Sequence, residues 1–210
     1  MSAVRRRAIA LVMAPAIVAL LLAVVFSSIQ SGRQSAQTSS HRHEPTSESA
    51  FAWLVPARAP AAWRQLRLPA GAGVLSVPPL LHRVAGDAGT VSAALIAHDG
   101  AYLAYLNATP LQGGEHLDGW AKFRLEHLRD DDARSAREQS SATMLHFRGA
   151  TGSCVTDDYV TKVGAHPFHE IACLVQGGGT GSVIVAAAPP SDWSRVGPVL
   201  ERAISSYALR

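Results

Sequence analysis

The 210-residue sequence predicts an α+β fold: an antiparallel β-sheet flanked by helices, preceded by one transmembrane helix. Three observations lead there. An uncharged apolar block runs from Ala8 to Ile29, directly behind Arg5, Arg6 and Arg7. From Trp63 onward, short apolar runs alternate with Gly, Pro, Asn and Asp clusters, the pattern of strands and turns. Two stretches, one over Glu115 to Arg129 and one from Ser191 to Tyr207, switch to helical spacing.

The apolar block holds 22 residues. As a helix it rises roughly 33 Å, enough to cross the hydrocarbon core of a bilayer. The apolar region of a secretory signal peptide is shorter, about 7–15 residues, so length favours a retained anchor over cleavage after Phe26. Pro15 is tolerable inside a membrane. Three arginines precede the block and no basic cluster follows it closely, which places residues 1–7 in the cytoplasm and the bulk of the chain outside. The cysteines are Cys154 and Cys173 alone, so none follows the block to carry a lipid.

Residues 30–62 read as a stalk. Gln30 to Ala50 is rich in Ser, Thr and Gln, has no apolar period and cannot bury enough surface to fold. His41 and His43 in this tract are incidental. Phe51 to Trp63 is apolar but broken by Pro56 and Pro60; membrane surface, domain or partner could each receive it. The globular domain then spans 63–210. The whole chain is basic, with a net charge of +3 and a pI near 9.2. Five of its 19 basic and two of its 16 acidic residues precede Phe51, leaving 14 of each afterwards. A neutral domain lacks the electrostatic footprint of a nucleic-acid binder.

Within the domain, Leu66 to Leu68 and Gly73 to Val77 are strand candidates, the second stopped by Pro78 and Pro79. Thr90 to Ala97 and Ala101 to Asn107 flank Asp99-Gly100, a strong hairpin turn signal. Leu117, Trp120, Phe123 or Arg124, and Leu128 lie on one helical face. Asp130, Asp131 and Asp132 oppose the dipole at that helix's end and read as an exit into a loop. Further strands fall at Ala142 to Arg148, Ser153 to Thr161, Phe168 to Gln176 and Ser182 to Ala188. Ser191 is the expected N-cap of the last helix, with Trp193, Val196, Leu200, Ile204 and Tyr207 on one face and Pro198 inside it as a kink or a delayed start.

Ser153 to Gln176 folds as a hairpin if its centre lies between Val163 and Gly164. Cys154 then faces Cys173, Asp158 faces His169, and Tyr159 faces Phe168. The aromatic and opposite-charge pairs favour this register. It also sets Asp157 against Glu170, which is unfavourable unless solvated. Facing cysteines in an extracytoplasmic domain predict a disulfide, contributing about 3 kcal/mol through loop closure.

The same hairpin carries the candidate ligand or metal residues Asp157, Asp158, His166, His169 and Glu170, since a cluster of histidine and carboxylate can bind zinc or move protons. A solvated hairpin tip explains them equally well. The run Gln176 to Ser182 is glycine-rich but lacks the Gly-Lys-Ser/Thr ending of a phosphate loop and precedes a strand. No Gly-x-Ser-x-Gly elbow occurs. No catalytic residue, metal or cofactor is implied.

The Gly-Val-Leu-Ser-Val-Pro-Pro segment at 73–79, the meander, the helix, the further strands and a terminal helix ending in Ala-Ile-Ser-Ser-Tyr resemble the Mog1/PsbP-like superfamily. The stretch from Trp63 to Tyr207 is similar to membrane-anchored actinobacterial proteins of that layout. The resemblance implies an α/β/α sandwich and a binding or assembly role rather than catalysis. The expected function is a non-enzymatic accessory domain of the cell envelope. Its expected partners are the lipid bilayer, through residues 8–29, and an envelope protein. The competing expectation is a ligand or metal sensor using the 157–170 hairpin.

Overall fold

A computed structural model of the protein describes residues 50–69 and 73–209. The basic tail, the predicted membrane span, His41 and His43 lie outside the described residues. Among the described residues no helix is long and apolar enough to cross a membrane.

The elements are β1 (Arg64–Arg67), β2 (Gly73–Val77), β3 (His82–Val84), β4 (Val91–Ile96), β5 (Tyr102–Pro110), α1 (Trp120–Asp131), β6 (Ala133–Phe147), β7 (Ala150–Thr161), β8 (Pro167–Gly177), β9 (Thr180–Ala188), α2 (Pro190–Ser205) and β10 (Ala208–Leu209). Strands β3-β4-β5-β9-β8-β7-β6 form an antiparallel sheet; β1-β2-β10 form a small second one. The chain leaves β5 through α1 to reach the far edge at β6. It then walks back strand by strand until β9 pairs with β5. The predicted α+β class and antiparallel sheet are therefore present.

Turn chemistry explains the meander. Asp99 Oδ1 accepts from Ala101 N–H at 3.0 Å, and Gly100 takes φ 89°. The glycine run after β8 is a hairpin turn: Gly177 pairs with Thr180, leaving Gly178 and Gly179 as a two-residue loop, both with positive φ. The β7–β8 register is the one predicted. Cys154 pairs with Cys173, Asp157 with Glu170, Asp158 with His169, and Tyr159 with Phe168. Cys154 and Cys173 are disulfide-bonded, and the Tyr159 and Phe168 rings stack at 5.5 Å.

The two faces of the large sheet are covered unequally. One face meets α2, the small sheet and the segment around Phe51. Its core includes Leu75, Val77, Leu106, Ile171, Ile184, Leu200 and Ile204, all essentially inaccessible. Tyr207 follows α2 rather than lying on it. Its hydroxyl meets Ser182 Oγ at 2.5 Å, and burial pushes its pKa up to about 12. A Cβ on Gly73 would land on that hydroxyl, so β2 can pass Tyr207 only as glycine.

Several boundaries differ from the expected ones. The stalk assigned to 30–62 ends earlier: Phe51 is buried, Trp53 and Leu54 pack against the core, and Ala57 N–H donates to Ser205 O at 3.1 Å. Of its three possible destinations, this segment meets the domain. Helix α1 starts at Trp120 rather than Glu115, because Gly119 is left-handed at φ 78° and Glu115 Oε2 accepts from Gln112 N–H in a turn. It runs through Asp130 and Asp131, whose dipole conflict Lys162 relieves. Lys162 Nζ donates to Asp130 O and its backbone N–H to Asp132 O. Helix α2 starts at Pro190 with Pro189 as N-cap, where a missing N–H costs nothing, and continues through Pro198. Strand β5 extends through Pro110.

Candidate functional site: a cleft on the half-covered face

Among the described residues, the other face of the sheet is covered by α1 and by Leu117 just before it. The helix is attached by a spacing match. Trp120 Nε1 donates to Ala172 O at 3.0 Å, and one helical step of four residues later Arg124 reaches Glu170. Four helical residues rise about 6 Å and two strand residues about 6.6 Å, so Trp120 and Arg124 meet alternate residues of β8. Trp120 packs with Val155, Ala172, Leu174, Val183 and Val185, while Leu125 and Leu128 pack with Ala133 and Ala136.

Arg124 makes two bonds to Glu170: Nε to Oε1 at 2.8 Å and a terminal nitrogen to Oε2 at 2.9 Å. Glu170 is 1 % exposed, and this bidentate pair is its compensation. Burial opposes the arginine's charge, but Glu170 outweighs it and raises the Arg124 pKa. Beside them Asp157 is fully buried, and neither of its oxygens has a hydrogen-bond partner among the described residues. Burial first, then the Glu170 charge, push its carboxyl up to about 8, against the pull of Arg124. Burial and the neighbouring charge therefore favour the protonated form of Asp157. Solvation was the expected remedy for the Asp157–Glu170 pairing; both side chains are instead buried, with Arg124 paired to Glu170.

Helix α1 covers β7 to β9; on β5 Tyr105, Asn107 and Thr109 stay half-exposed, while Ser92 and Ala94 of β4 are buried. The space between α1 and β5 is a cleft of about 800 Å³. Its floor is a polar network: Asn107 Nδ2 donates to Ser92 Oγ at 2.8 Å, Thr109 Oγ1 to Asn107 Oδ1 at 2.9 Å, and Tyr105 OH lies 3.3 Å from Ser92 Oγ. Its wall is an aromatic row on α1, with Trp120 stacked on Phe123 at 5.9 Å and Phe123 on His127 at 6.2 Å. Asp87, Glu115, Asp131 and Asp132 stand around it with Lys162, and His127 Nδ1 lies 3.2 Å from Asp131. Burial raises the Glu115 pKa. The floor hydroxyls bond to one another and to Asn107, and no bond joins them to His127 or a carboxylate among the described residues.

The five hairpin residues do not form one site. Asp157 and Glu170 lie on the α1 face. Asp158 and His169 lie on the α2 face, with His169 Nδ1 at 2.7 Å from Asp158 Oδ1 and its ring edge-on to Trp193 at 4.3 Å. Gln139 also donates to Asp158. His166 is exposed in the turn. Strand alternation separates them: neighbouring residues 157 and 158 must point to opposite faces. Among the described residues no group of three or more His, Cys, Asp or Glu is placed to hold a metal ion. The cleft floor was not anticipated, although its signal is in the sequence. Tyr105, Asn107 and Thr109 alternate with Ala104, Leu106 and Ala108 along β5, a polar row backed by an apolar one.

No protein-family model matches the sequence, and no curated protein does. Solved structures do match. Cyanobacterial PsbP (CyanoP) from Synechocystis is 11% identical over 72% of this chain and 95% of its own, with a TM-score of 0.52. A Pseudomonas aeruginosa protein of unknown function is 11% identical over 69% of this chain and 94% of its own, with a TM-score of 0.46. LpqN of Mycobacterium tuberculosis, involved in cell envelope biogenesis, is 14% identical over 72% and 80%, with a TM-score of 0.35. The first likeness gives the fold, which is PsbP-like; the weaker two carry no argument.

Proposed function

We propose that the chain is a membrane-anchored, non-enzymatic interaction domain of the bacterial cell envelope, and that it binds its partner through the cleft between α1 and β5. The observation that carries this reading is the half-covered sheet face. A half-exposed polar row on β5 beside an aromatic wall is a concave surface of the kind ligands and partner segments use. Placement outside the cytoplasm rests on Arg5 to Arg7, the apolar block behind them and the Cys154–Cys173 bond, which suits an oxidising compartment. Binding is favoured over catalysis because the cleft's hydroxyls are engaged with each other and with an amide, not with a base. The division of the hairpin residues between two faces weighs against the sensor reading.

The test is recovery of the full chain from membranes in mild detergent, as wild type and as Thr109→Trp, which fills the cleft. A companion protein retained by wild type and lost with T109W is the expected result. A companion retained equally by both would move the interaction elsewhere on the domain.

A further inference from the structure

Glu170 and Asp157 face each other across β8 and β7 in the shadow of α1, and the one arginine beside them is bonded to Glu170 alone. We propose that this pair holds a single proton beneath α1, and that the proton keeps the helix seated on the sheet. The location of the proton follows from the geometry. Both Glu170 oxygens accept from Arg124, so the arginine's charge-assisted bonds go to that carboxyl group. Asp157 accepts nothing, so it is the member that stays neutral.

Among the described residues, the charged groups acting on Asp157 include no cation besides Arg124. Arg124 reaches it from α1, Glu170 from β8 and Glu138 from β6, while Asp158 and Tyr159 are its neighbours on β7. Three of these five are acidic, and Tyr159 has its own pKa raised by burial and by Glu170. Loss of the proton therefore sets two buried carboxylates against one arginine. The remaining contacts that seat α1 near Asp157 are small: Leu125 and Leu128 on Ala133, Ala136 and Tyr159, and one bond from Arg129 to Ala136 O. The sign is fixed by linkage. A carboxyl raised in the folded state favours folding fully at pH below its unfolded value, and that contribution is lost as pH rises towards about 8. The same helix walls the cleft, so the proton would also set how open the cleft is. That consequence rests on the binding role proposed above; the lock itself does not.

Hydrogen exchange on the full chain in detergent, corrected for intrinsic rates, tests the lock at pH 6 and pH 9. Amides of α1 in wild type should lose at least about tenfold protection at pH 9 relative to strand β9, because the loss runs at about one factor of ten per unit of pH up to the folded value of about 8 and stops there. In Asp157→Asn they should not. Equal protection of wild-type α1 at both pH values overturns the proposal, as does the same loss in D157N. Should D157N fail to fold, infrared difference spectra of wild type decide. A protonated-carboxyl band present at pH 6 and gone at pH 9, in step with the loss of α1 protection, supports the lock. No such band at pH 6 overturns it. Neither outcome depends on whether a partner binds the cleft.

Discussion

On one face of the large sheet Leu75, Val77, Leu200 and Ile204 close over Leu106, Ile171 and Ile184. On the other face, among the described residues, α1 and Leu117 just before it lie over β7 to β9, and Tyr105, Asn107 and Thr109 of β5 stay half-exposed beside a buried Ser92. The first face is held by apolar area, which is non-directional and insensitive to pH. The second is held by one indole hydrogen bond, one buried ion pair, two small clusters and the bonds of Arg129 to Ala136 O and of Lys162 to the end of α1. Stability is concentrated on the full face, and the chemistry able to respond to a partner or a proton is concentrated on the half-covered one. A low-stability element beside a site is the usual arrangement where binding requires adjustment.

Removing one partner of the ion pair should have the largest effect. Arg124→Met strips Glu170 of its only ionic compensation beside Asp157 and should cost about 3–5 kcal/mol. Urea unfolding would measure this, and adding Glu170→Gln should restore most of it. If R124M costs no more than a surface substitution, the half-covered face is not held as described. Next is the full face: reduction of Cys154–Cys173, or its replacement by two alanines, should lower stability by about 3 kcal/mol. Ellman titration of the native chain should find no free thiol. A smaller effect comes from pH. Asp157 is raised to about 8, so thermal stability should fall as pH rises from 5 to 8, more in wild type than in Asp157→Asn. The difference in midpoint should be at least about 5 °C by differential scanning calorimetry. Smallest is the cleft floor. Thr109→Val removes a half-buried hydrogen bond and should cost under about 1.5 kcal/mol, leaving the fold intact while weakening whatever binds there.

Much of the fold was legible because local signals and global structure agree. Asp99-Gly100 specifies its hairpin in two residues, and the facing cysteines with Tyr159 and Phe168 specify the register of β7 on β8. Three features escaped for physical reasons. The first half of β6, from Ala133 to Ser141, is polar and irregular because it is a bulged edge strand whose pairing to β7, not its apolar pattern, makes it a strand. Phe51 was ambiguous because the groups that receive it are far away in sequence. The Gly73–Tyr207 contact joins opposite ends of the domain, and nothing near either residue announces it. The candidate site divides the same way. Its floor is a readable alternation along β5. The meeting of Arg124 with Glu170 depends on α1 crossing β8, which only the three-dimensional path of the chain decides.

The central claim, that recognition belongs to the half-covered face, can be tested by placing a photo-crosslinking amino acid on each face of the full chain in membranes. One position would be Asp87, at the cleft, and the other Arg195, on the outer side of α2. A discrete adduct from position 87 and none from position 195 is the predicted result. A discrete adduct from position 195 with none from position 87 would contradict it.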